Sequence, residues 1–509
     1  MSSHLQQASG HLKRDLVIGL SLSTLWFIGV WSDLLPFLYL SGNYPVGALP
    51  CWNDFAAAVT NVMLLGAGLA CASQLARRGP RWMRTLAGWA LLGSLAVPVN
   101  AIRMHFRLAP EYWYGELGPV AGPMVLGLLL LALVAVAARW HATTVRVVTV
   151  ALTIMFPLAI MTFAQAAWAI SQAGGSMQCG GAEGRAAPLP GDASRRLMWI
   201  VYDELEYRAP FEARPPDLLL PALDRLRDQS LSATSAIAPG DRTGRSMTSY
   251  LTGLRVRETV LVGRNQMQLK IAGRPDVVTW AAGDTLFPKV RALGLNTGLA
   301  GFFLPYCPIL GDTLTTCAWE PCVTCGRLTG VFGKSVGESM WHQVSELFPR
   351  YGRRRHLATF RGVQEAGLAL AADPTIGMGV IHLGVPHDPV IYDRRRGDYS
   401  LRAVEGDGYL HNLALVDRSL RELRDAMETA GLWDRTTVIV MGDHGRRSPD
   451  DGMTIHDPRV PFIVKLAGQS EGSTYTPRVD LLRVHDLTLE ILAGRISTAR
   501  EVANWLDAR

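Results

Sequence analysis

The first third of the chain contains five apolar stretches that are each long enough to cross a lipid bilayer. Each is near the roughly 20 residues that a membrane helix needs, and the 509-residue chain has no comparable stretch after Ile170. A chain of this length usually divides into more than one domain. We therefore expect an α-helical domain of five transmembrane helices over residues 1–171. The approximate spans are Leu16–Leu40, Phe55–Ala76, Thr85–Met104, Pro119–Ala138 and Val147–Ile170.

Basic residues between these spans predict their orientation. Arginine and lysine concentrate in three segments on one side, which the rule for short loops makes cytoplasmic. An odd number of spans then delivers everything after Ile170 to the outer side. The three segments carry Lys13 and Arg14, then Arg77, Arg78, Arg81 and Arg84, and finally Arg139 and Arg146.

Cysteine positions and charge agree with that topology. Six of the seven cysteines fall on the predicted outer side, where disulfides persist, while Cys71 lies in the second span. The cluster from Cys307 to Cys325 has a zinc ribbon as its alternative, but it lacks two separated CxxC pairs, so we expect disulfides. The net charge of +6 predicts no nucleic-acid partner, because topology-setting arginines supply much of it and anionic lipid headgroups suit it.

A linker rich in Gly, Ala, Pro and Ser over residues 172–196 precedes a second domain over residues 197–509. Short apolar runs such as "LMWIVYD", "IGMGVIHLG" and "TTVIVMGDHG" have strand length, and Leu410–Ala430 has the spacing of an amphipathic helix. Strands that alternate with helices predict an α/β domain with a mostly parallel sheet covered by helices. Ligands bind such sheets at the carboxyl ends of the strands.

Acids, histidines and a threonine occur at those strand ends. Each one alone has an ordinary structural explanation as a helix cap, a turn or a loop residue. Together, carboxylates, an imidazole and a threonine oxygen form a tetrahedral set that suits zinc, and manganese accepts the same oxygens. The residues are Asp203, Glu204, Thr243, His387, Asp443, His444 and His456.

In type, order and spacing these motifs resemble the alkaline phosphatase and sulfatase superfamily. In that superfamily Ser follows the nucleophile at plus three and Thr-Gly at plus nine and ten, and here Thr243 is followed by Ser246 and by Thr252-Gly253. "VIVMGDHG" and "RVPFIVKLAG" match the late metal strand and the next strand. Met247 stands where a formylglycine sulfatase has arginine, which argues against that activity.

With five N-terminal spans, the chain looks like phosphoethanolamine transferases and lipoteichoic acid synthases (phosphoglycerol transferases) of the bacterial cytoplasmic (inner) membrane. The resemblance implies a periplasmic or extracellular catalytic domain, a phospholipid donor and an envelope glycolipid or glycan acceptor. It also implies transfer of the phospho-headgroup through a phosphothreonine. The acid pair Asp203-Glu204 departs from those families, which usually have Glu there, and leaves the transferred group open. The alternatives are a membrane-anchored phosphodiesterase or phosphatase and a non-catalytic envelope assembly or sensor protein.

The resemblance also assigns residue roles. Thr243 is the nucleophile, and Asp203, Glu204, Thr243, Asp443 and His444 are the metal ligands. His387 and His456 hold the phosphate or protonate the leaving group; alternatively, either helps to bind a second metal. Weaker candidates for substrate binding are Arg242, Arg245, Ser246 and His382.

Overall fold

A computed structural model describes residues 2–35, 50–105, 118–172, 185–263, 266–320, 335–347, 351–402, 404–447 and 457–508. The chain forms two compact units. The helical unit comprises Met1–Ser41, Pro50–Cys179 and Val331–Pro349. The sheet unit comprises Gly42–Leu49, Gly180–Gly330 and Arg350–Arg509.

The helical unit contains helices at each of the five predicted spans, but only part of the prediction passes a test of length and hydropathy. In the described residues, Trp52–Arg78 and His141–Ser171 are long and apolar enough to cross a membrane, and Met124–Arg139 is a shorter apolar helix. A domain of five membrane spans therefore stays a prediction. The helices of the unit are α1 (Ser2–Trp26), α2 (Ile28–Leu34), α3 (Trp52–Arg78), α4 (Arg81–Ser94), α5 (Ala96–His105), α6 (Gly118–Arg139), α7 (His141–Ile154), α8 (Phe156–Ser171) and α14 (Val336–Ser345).

Close packing of α1 on α3 depends on two glycines. A Cβ added to Gly19 would lie 2.4 Å from the carbonyl oxygen of Gly66, so the two backbones touch there. Small residues at such crossings are typical of helix pairs in membranes. The outer faces of α6 and α7 expose large apolar side chains, such as Leu131 at 66% and Ile154 at 71%.

Helix α14 belongs to the helical unit although it comes from the middle of the predicted outer domain. Its Ser339 hydroxyl donates to Asp54 Oδ1 at 2.6 Å, and its Gln343 side chain donates to the Asp54 carbonyl at 2.9 Å. Asn61 on α3 in turn donates to Gln343 Oε1 at 3.1 Å. The structure thus places α14 in the helical unit, whereas the sequence predicted a linker over residues 172–196 and a second domain over residues 197–509.

The sheet unit is built on an eight-stranded sheet. Its strands are β1 (Arg196–Asp203), β2 (Leu231–Ala233), β7 (Asn296–Phe302), β8 (Thr316–Glu320), β9 (Ile376–Pro386), β12 (Thr436–Gly442), β13 (Phe462–Lys465) and β14 (Ser473–Tyr475). Their order in the sheet is β14-β2-β13-β12-β1-β9-β7-β8. In this sheet as described, β13 alone runs opposite to the others. The predicted α/β domain with a mostly parallel sheet is confirmed.

Smaller sheets and helices surround this one. The additional strands are β3 (Ala236–Ile237), β4 (Val256–Gly263), β5 (Gln266–Ile271), β6 (Val277–Thr279), β10 (Tyr392–Asp393), β11 (Asp398–Tyr399) and β15 (Val479–Asp480). The helices are α9 (Arg208–Phe211), α10 (Pro221–Arg227), α11 (Thr243–Thr252), α12 (Leu286–Ala292), α13 (Tyr306–Leu310), α15 (Tyr351–Ala372), α16 (Gly408–Thr429), α17 (Val484–Leu492) and α18 (Ala499–Asp507).

The three central strands β12, β1 and β9 are buried along their whole lengths. This explains their nearly continuous apolar sequences, because a parallel sheet is covered on both faces. One such cover is α16, whose buried side chains include Leu413, Leu420 and Met427. The apolar core therefore holds the carboxyl ends of three adjacent strands in fixed register.

The prediction of disulfides is confirmed at one pair, Cys307–Cys317, which links α13 to β8. Cys51 is also disulfide-bonded, and Cys71 is a free thiol. Cys179, Cys322 and Cys325 lie outside the described residues.

Candidate active site

The candidate site lies at the carboxyl ends of the three central strands. Asp203 ends β1, and Asp443 follows β12 with its backbone N–H donating to the Tyr202 carbonyl at 3.1 Å. His387 follows β9, and its backbone N–H donates to the Asp203 carbonyl at 3.2 Å. Parallel pairing of β1 with both neighbours therefore brings together side chains that are far apart in sequence.

Thr243 is the first residue of α11, and its side chain is buried. Its hydroxyl donates to Asp203 Oδ1 at 3.3 Å. The start of a helix has backbone N–H groups without partners in the helix and carries partial positive charge, which suits a phosphate. The expectation that Thr243 opens a helix is met, and its oxygen faces the acidic strand end.

Three side chains in the described residues could hold a metal ion: Asp203, Asp443 and His444. One ligand atom from each lies within 4.8 Å of the others. His444 Nε2 is 3.4 Å from Asp203 Oδ1 and 3.6 Å from Asp443 Oδ2. Thr243 Oγ1 lies next to this group, since it is hydrogen-bonded to Asp203 Oδ1.

The hydrogen bonds of this group leave one oxygen of each aspartate and Nε2 of His444 available to bind a cation. Asp443 Oδ1 accepts from the backbone N–H groups of Glu204 at 3.0 Å and His444 at 2.7 Å, whereas Asp443 Oδ2 is buried with no partner among the described residues. Asp203 Oδ2 is likewise buried with no partner among the described residues. His444 Nδ1 lies 2.9 Å from the Gly445 carbonyl, which can only accept, so Nε2 keeps its lone pair for a ligand.

The charges of the group favour the same interpretation. Burial, together with the nearby Asp443 carboxylate, raises the pKa of Asp203 to about 7. Two buried carboxylates repel each other unless a cation or a proton separates them. Buried orphan oxygens, an imidazole lone pair and a threonine hydroxyl fit a divalent metal ion.

Glu204 lies beside this group but is not one of its three members. Its backbone has a φ of 64°, a left-handed conformation that non-glycine residues rarely adopt. Tyr409 supports it by donating its hydroxyl to the Glu204 carbonyl at 2.9 Å. The Glu204 carboxylate lies 3.7 Å from His387 Nε2 and 3.6 Å from Arg447 Nε.

His387 is mostly buried at this edge. Burial lowers its pKa, but the carboxylates of Asp203 and Glu204 outweigh burial and raise it to about 9. In the absence of a bound metal, His387 is therefore protonated at neutral pH. A protonated imidazole next to a nucleophile can hold an anion or donate a proton to a leaving group.

The weaker candidates occupy different positions. Arg242 is exposed immediately before α11, and Arg245 pairs at 2.7 Å with Asp241 at a half-exposed position. The Ser246 hydroxyl is buried without a partner in the described part of the chain, and because α11 begins at Thr243 it is not a helix cap. His456 lies outside the described residues.

His382 is completely buried within β9. Its Nδ1 lies 3.0 Å from the Tyr306 hydroxyl, and its ring packs on Phe302 with centroids 4.7 Å apart. Burial lowers its pKa to about 4, so the ring is neutral. These contacts are those of a core histidine, and its Nε2 finds no partner among the residues described.

Sequence reasoning did not find Arg447 or Tyr409. Arg447 follows "GDHG" by two residues, and an arginine in a loop is usually solvated, so its type alone carried no signal. Its Nη2 lies 3.4 Å from His444 Nε2. Tyr409 lies in the first turn of α16 and reaches the site only through tertiary packing.

Residues 211–457, a little under half of the chain, match the family model described as type I phosphodiesterase / nucleotide pyrophosphatase. No curated protein sequence matches the chain. Solved structures with a similar fold include a phosphonate monoester hydrolase of Agrobacterium radiobacter, with 13% identity over 59% of this chain and 74% of that one at a TM-score of 0.38. A sulfatase from Pseudoalteromonas sp. has 13% identity over 59% of this chain and 68% of that one, at a TM-score of 0.41.

These likenesses between structures are too distant to carry conclusions about chemistry. The family match is a separate result, and its range includes Thr243, His387, Asp443 and His444. It confirms the expectation of an enzyme, whereas the transferase families are not singled out. Residues 211–457 are thus similar to the type I phosphodiesterase / nucleotide pyrophosphatase family.

Proposed function

We propose that the chain transfers a phosphoethanolamine or phosphoglycerol type of headgroup from a membrane phospholipid to an envelope glycolipid or glycan. The observation that carries this proposal is the buried Thr243 hydroxyl, 3.3 Å from Asp203 Oδ1 at the start of a helix. A threonine hydroxyl is a poor nucleophile until a base or metal activates it. Here a carboxylate and a group of candidate metal ligands both adjoin it.

Asp203, Asp443 and His444 would hold the metal ion, with Thr243 Oγ1 as the fourth ligand. Zinc or manganese suits this set of oxygen and nitrogen donors. A bound divalent cation supplies charge that lowers the pKa of the hydroxyl and offsets charge on the phosphoryl oxygens. One such site is proposed; His387 with His456 is the alternative basis for a second.

The reaction has two half-reactions that share Thr243. In the first, Thr243 Oγ1 forms a bond to phosphorus, the bond from phosphorus to the diacylglycerol oxygen breaks, and the hydroxyl proton passes to Asp203. His387 gives its proton to the departing diacylglycerol oxygen. In the second, an acceptor hydroxyl attacks phosphorus and loses its proton to His387, while the Thr243 oxygen departs and regains its proton from Asp203.

We assign the protein to the bacterial cytoplasmic membrane, with its N-terminus in the cytoplasm and the sheet unit on the outer side. Two segments of membrane-spanning length and the exposed apolar faces of α6 and α7 support a lipid environment. The Cys307–Cys317 disulfide supports an oxidising compartment for the sheet unit. A lipid donor would then be present at the same surface as the enzyme.

Hydrolysis is the second candidate, because the matched family is described as a phosphodiesterase and pyrophosphatase family. The covalent intermediate would be the same, and water would replace the acceptor hydroxyl. The two candidates differ in what consumes the intermediate. An acceptor-dependent turnover favours transfer, and release of the free headgroup phosphate into water favours hydrolysis.

The test is the intact mass of the full chain, purified in detergent with zinc or manganese and incubated with vesicles of phosphatidylethanolamine or phosphatidylglycerol. We expect the wild type to gain the mass of one phospho-headgroup, and Thr243→Ala to gain nothing. Thr248→Ser is the matched control, because Thr248 lies on the same helix with its hydroxyl bound to the Gly244 carbonyl. Full turnover by Thr243→Ala would overturn the mechanism.

A further inference from the structure

Arg447 places a guanidinium against the candidate metal group, although nothing in the chemistry above uses it. Its Nε lies 3.6 Å from Glu204 Oε1, and its Nη2 lies 3.4 Å from His444 Nε2. The side chain is 26% exposed. A guanidinium has five N–H donors, and these two contacts leave others directed to solvent or to a ligand.

The contact between Arg447 and His444 cannot persist once His444 binds a cation. A metal ion at His444 Nε2 uses the lone pair that the guanidinium faces, and it repels the positive charge of Arg447. The contact to Glu204 is unaffected, because Glu204 lies outside the three-ligand group. Arg447 would then remain anchored at Nε with its Nη donors facing the space beside the metal.

Glu204 is itself held rigidly enough to act as that anchor. Its backbone N–H donates to Asp443 Oδ1 at 3.0 Å, and its carbonyl accepts from the Tyr409 hydroxyl at 2.9 Å. Both bonds fix the left-handed backbone from which the carboxylate projects toward Arg447. The same carboxylate oxygen lies 3.7 Å from His387, so one acid aligns two cationic side chains.

We infer that Arg447 binds a non-bridging oxygen of the phosphodiester substrate, and that Glu204 is its positioning residue and not a metal ligand. The charges agree with this assignment. A divalent cation balances Asp203 and Asp443, and Arg447 balances Glu204, so protonated His387 leaves the site with a net positive charge before an anionic substrate enters. Arginine recognises phosphoryl oxygens through paired N–H donors. The inference rests on the proposed phosphoryl chemistry.

The experiment measures binding of inorganic phosphate, as the probe, to the full-length protein loaded with zinc, by calorimetry. We expect Arg447→Gln to weaken phosphate binding by about 10- to 100-fold, because a hydrogen bond to a charged group is lost. Arg447→Lys should recover part of the affinity through its point charge. Arg421→Gln, which removes an exposed arginine from α16, is the control and should bind phosphate as the wild type does.

The metal content of each variant is the second measurement. It distinguishes a residue that positions Arg447 from a residue that binds the metal. Glu204→Gln and Arg447→Gln should each retain the metal stoichiometry of the wild type, whereas Asp443→Asn should lower it. Unchanged phosphate affinity in Arg447→Gln, or loss of metal in Glu204→Gln, would overturn the inference. These outcomes are independent of the Thr243 adduct: loss of phosphate affinity without any adduct would refute the covalent mechanism and leave Arg447 as a phosphate ligand.

Discussion

Asp203 is the residue whose buried charge makes the site electrostatically unfavourable for folding. It is buried at the end of β1, it touches the Thr243 hydroxyl, and one of its oxygens is unpartnered among the described residues. Nearby Asp443 adds a second buried negative charge. A fold retains such a pair only where something else compensates it, and a cation is the compensation that also serves the chemistry.

The raised pKa of Asp203 predicts how the stability of the metal-free protein depends on pH. The pKa of Asp203 in the folded protein is about 7, above its ordinary 3.8. Between these two pKa values, the folded chain holds a proton that the unfolded chain has released. The folded state therefore loses stability as the pH rises from 3.8 to about 7. We expect the midpoint temperature of thermal unfolding of the chelator-treated protein to decrease when the pH is raised from 5 to 8.

Asp203→Asn supplies the control for this effect, since an amide does not titrate. Its chelator-treated midpoint should be less dependent on pH than that of the wild type. Added zinc or manganese should raise the midpoint of the wild type most at the higher pH, because bound metal stabilises the folded state. A wild-type midpoint that rises with pH in chelator would contradict the assignment of a buried, uncompensated acid pair.

At the scale of elements, helix α11 sets the position of Thr243, the proposed nucleophile. The helix ends at Thr252 and is followed by Gly253, whose φ is 70° and whose N–H donates to the Ser249 carbonyl at 2.8 Å. A Cβ at Gly253 would lie 2.9 Å from His485 Nδ1. The C-terminal end of α11, opposite Thr243, is therefore fixed by the backbone conformation of Gly253 and by its close approach to His485.

Gly253→Ala should consequently disturb the position of Thr243 as well as stability. Left-handed strain alone costs on the order of 1 kcal/mol, and the clash with His485 adds to it. Gly273→Ala is the matched control, because Gly273 has a φ of 80° with nothing within 4 Å of an added Cβ. We expect both variants to unfold at lower temperature, and only Gly253→Ala to lose at least about tenfold in kcat. Equal losses of kcat would show that α11 is not held from this end.

Elements with strong local signals were predictable from the sequence. The continuous apolar runs of β1, β9 and β12 predict buried strands, and α16 follows from its apolar spacing. The order of the acids and histidines after these strands then places them at one edge. Thr243 was identifiable because its spacing to Thr252-Gly253 matches a known family.

Features that depend on tertiary contacts were not predictable. Arg447 enters the site because its side chain contacts His444, and no local pattern encodes that contact. The separation of Glu204 from the three-ligand group follows from its left-handed backbone, which a sequence does not show. The membership of α14 in the helical unit depends on hydrogen bonds to Asp54, 285 residues away from Ser339 in sequence.

At the scale of the whole molecule, the proposed function requires the two units to face different environments. Exposed apolar side chains on α6 and α7 suit lipid, whereas the sheet unit contains the disulfide Cys307–Cys317. The distribution of arginine in the N-terminal third predicts which side is the cytoplasm. This orientation can be tested without knowing the substrate.

Single cysteines provide that test, with their labelling measured against a parent chain in which the free Cys71 is replaced by alanine. Asp276→Cys lies at an exposed position of the sheet unit, and Gly10→Cys lies at an exposed position of α1. In intact cells with a permeable outer layer, a membrane-impermeant maleimide should label Asp276→Cys but label Gly10→Cys only after lysis. The reverse pattern would contradict the proposed topology.

The hydrogen-bonded attachment of α14 to Asp54 and Asn61 has a practical consequence for dissecting the protein. A truncated chain that begins after residue 184 would keep α14 but lose α3, and the polar groups of Ser339 and Gln343 that α3 now satisfies would be left without those partners. Unsatisfied groups of this kind promote aggregation or misfolding of the remnant. A soluble catalytic fragment should therefore replace residues 331–349 with a short polar loop as well as removing the N-terminal helices.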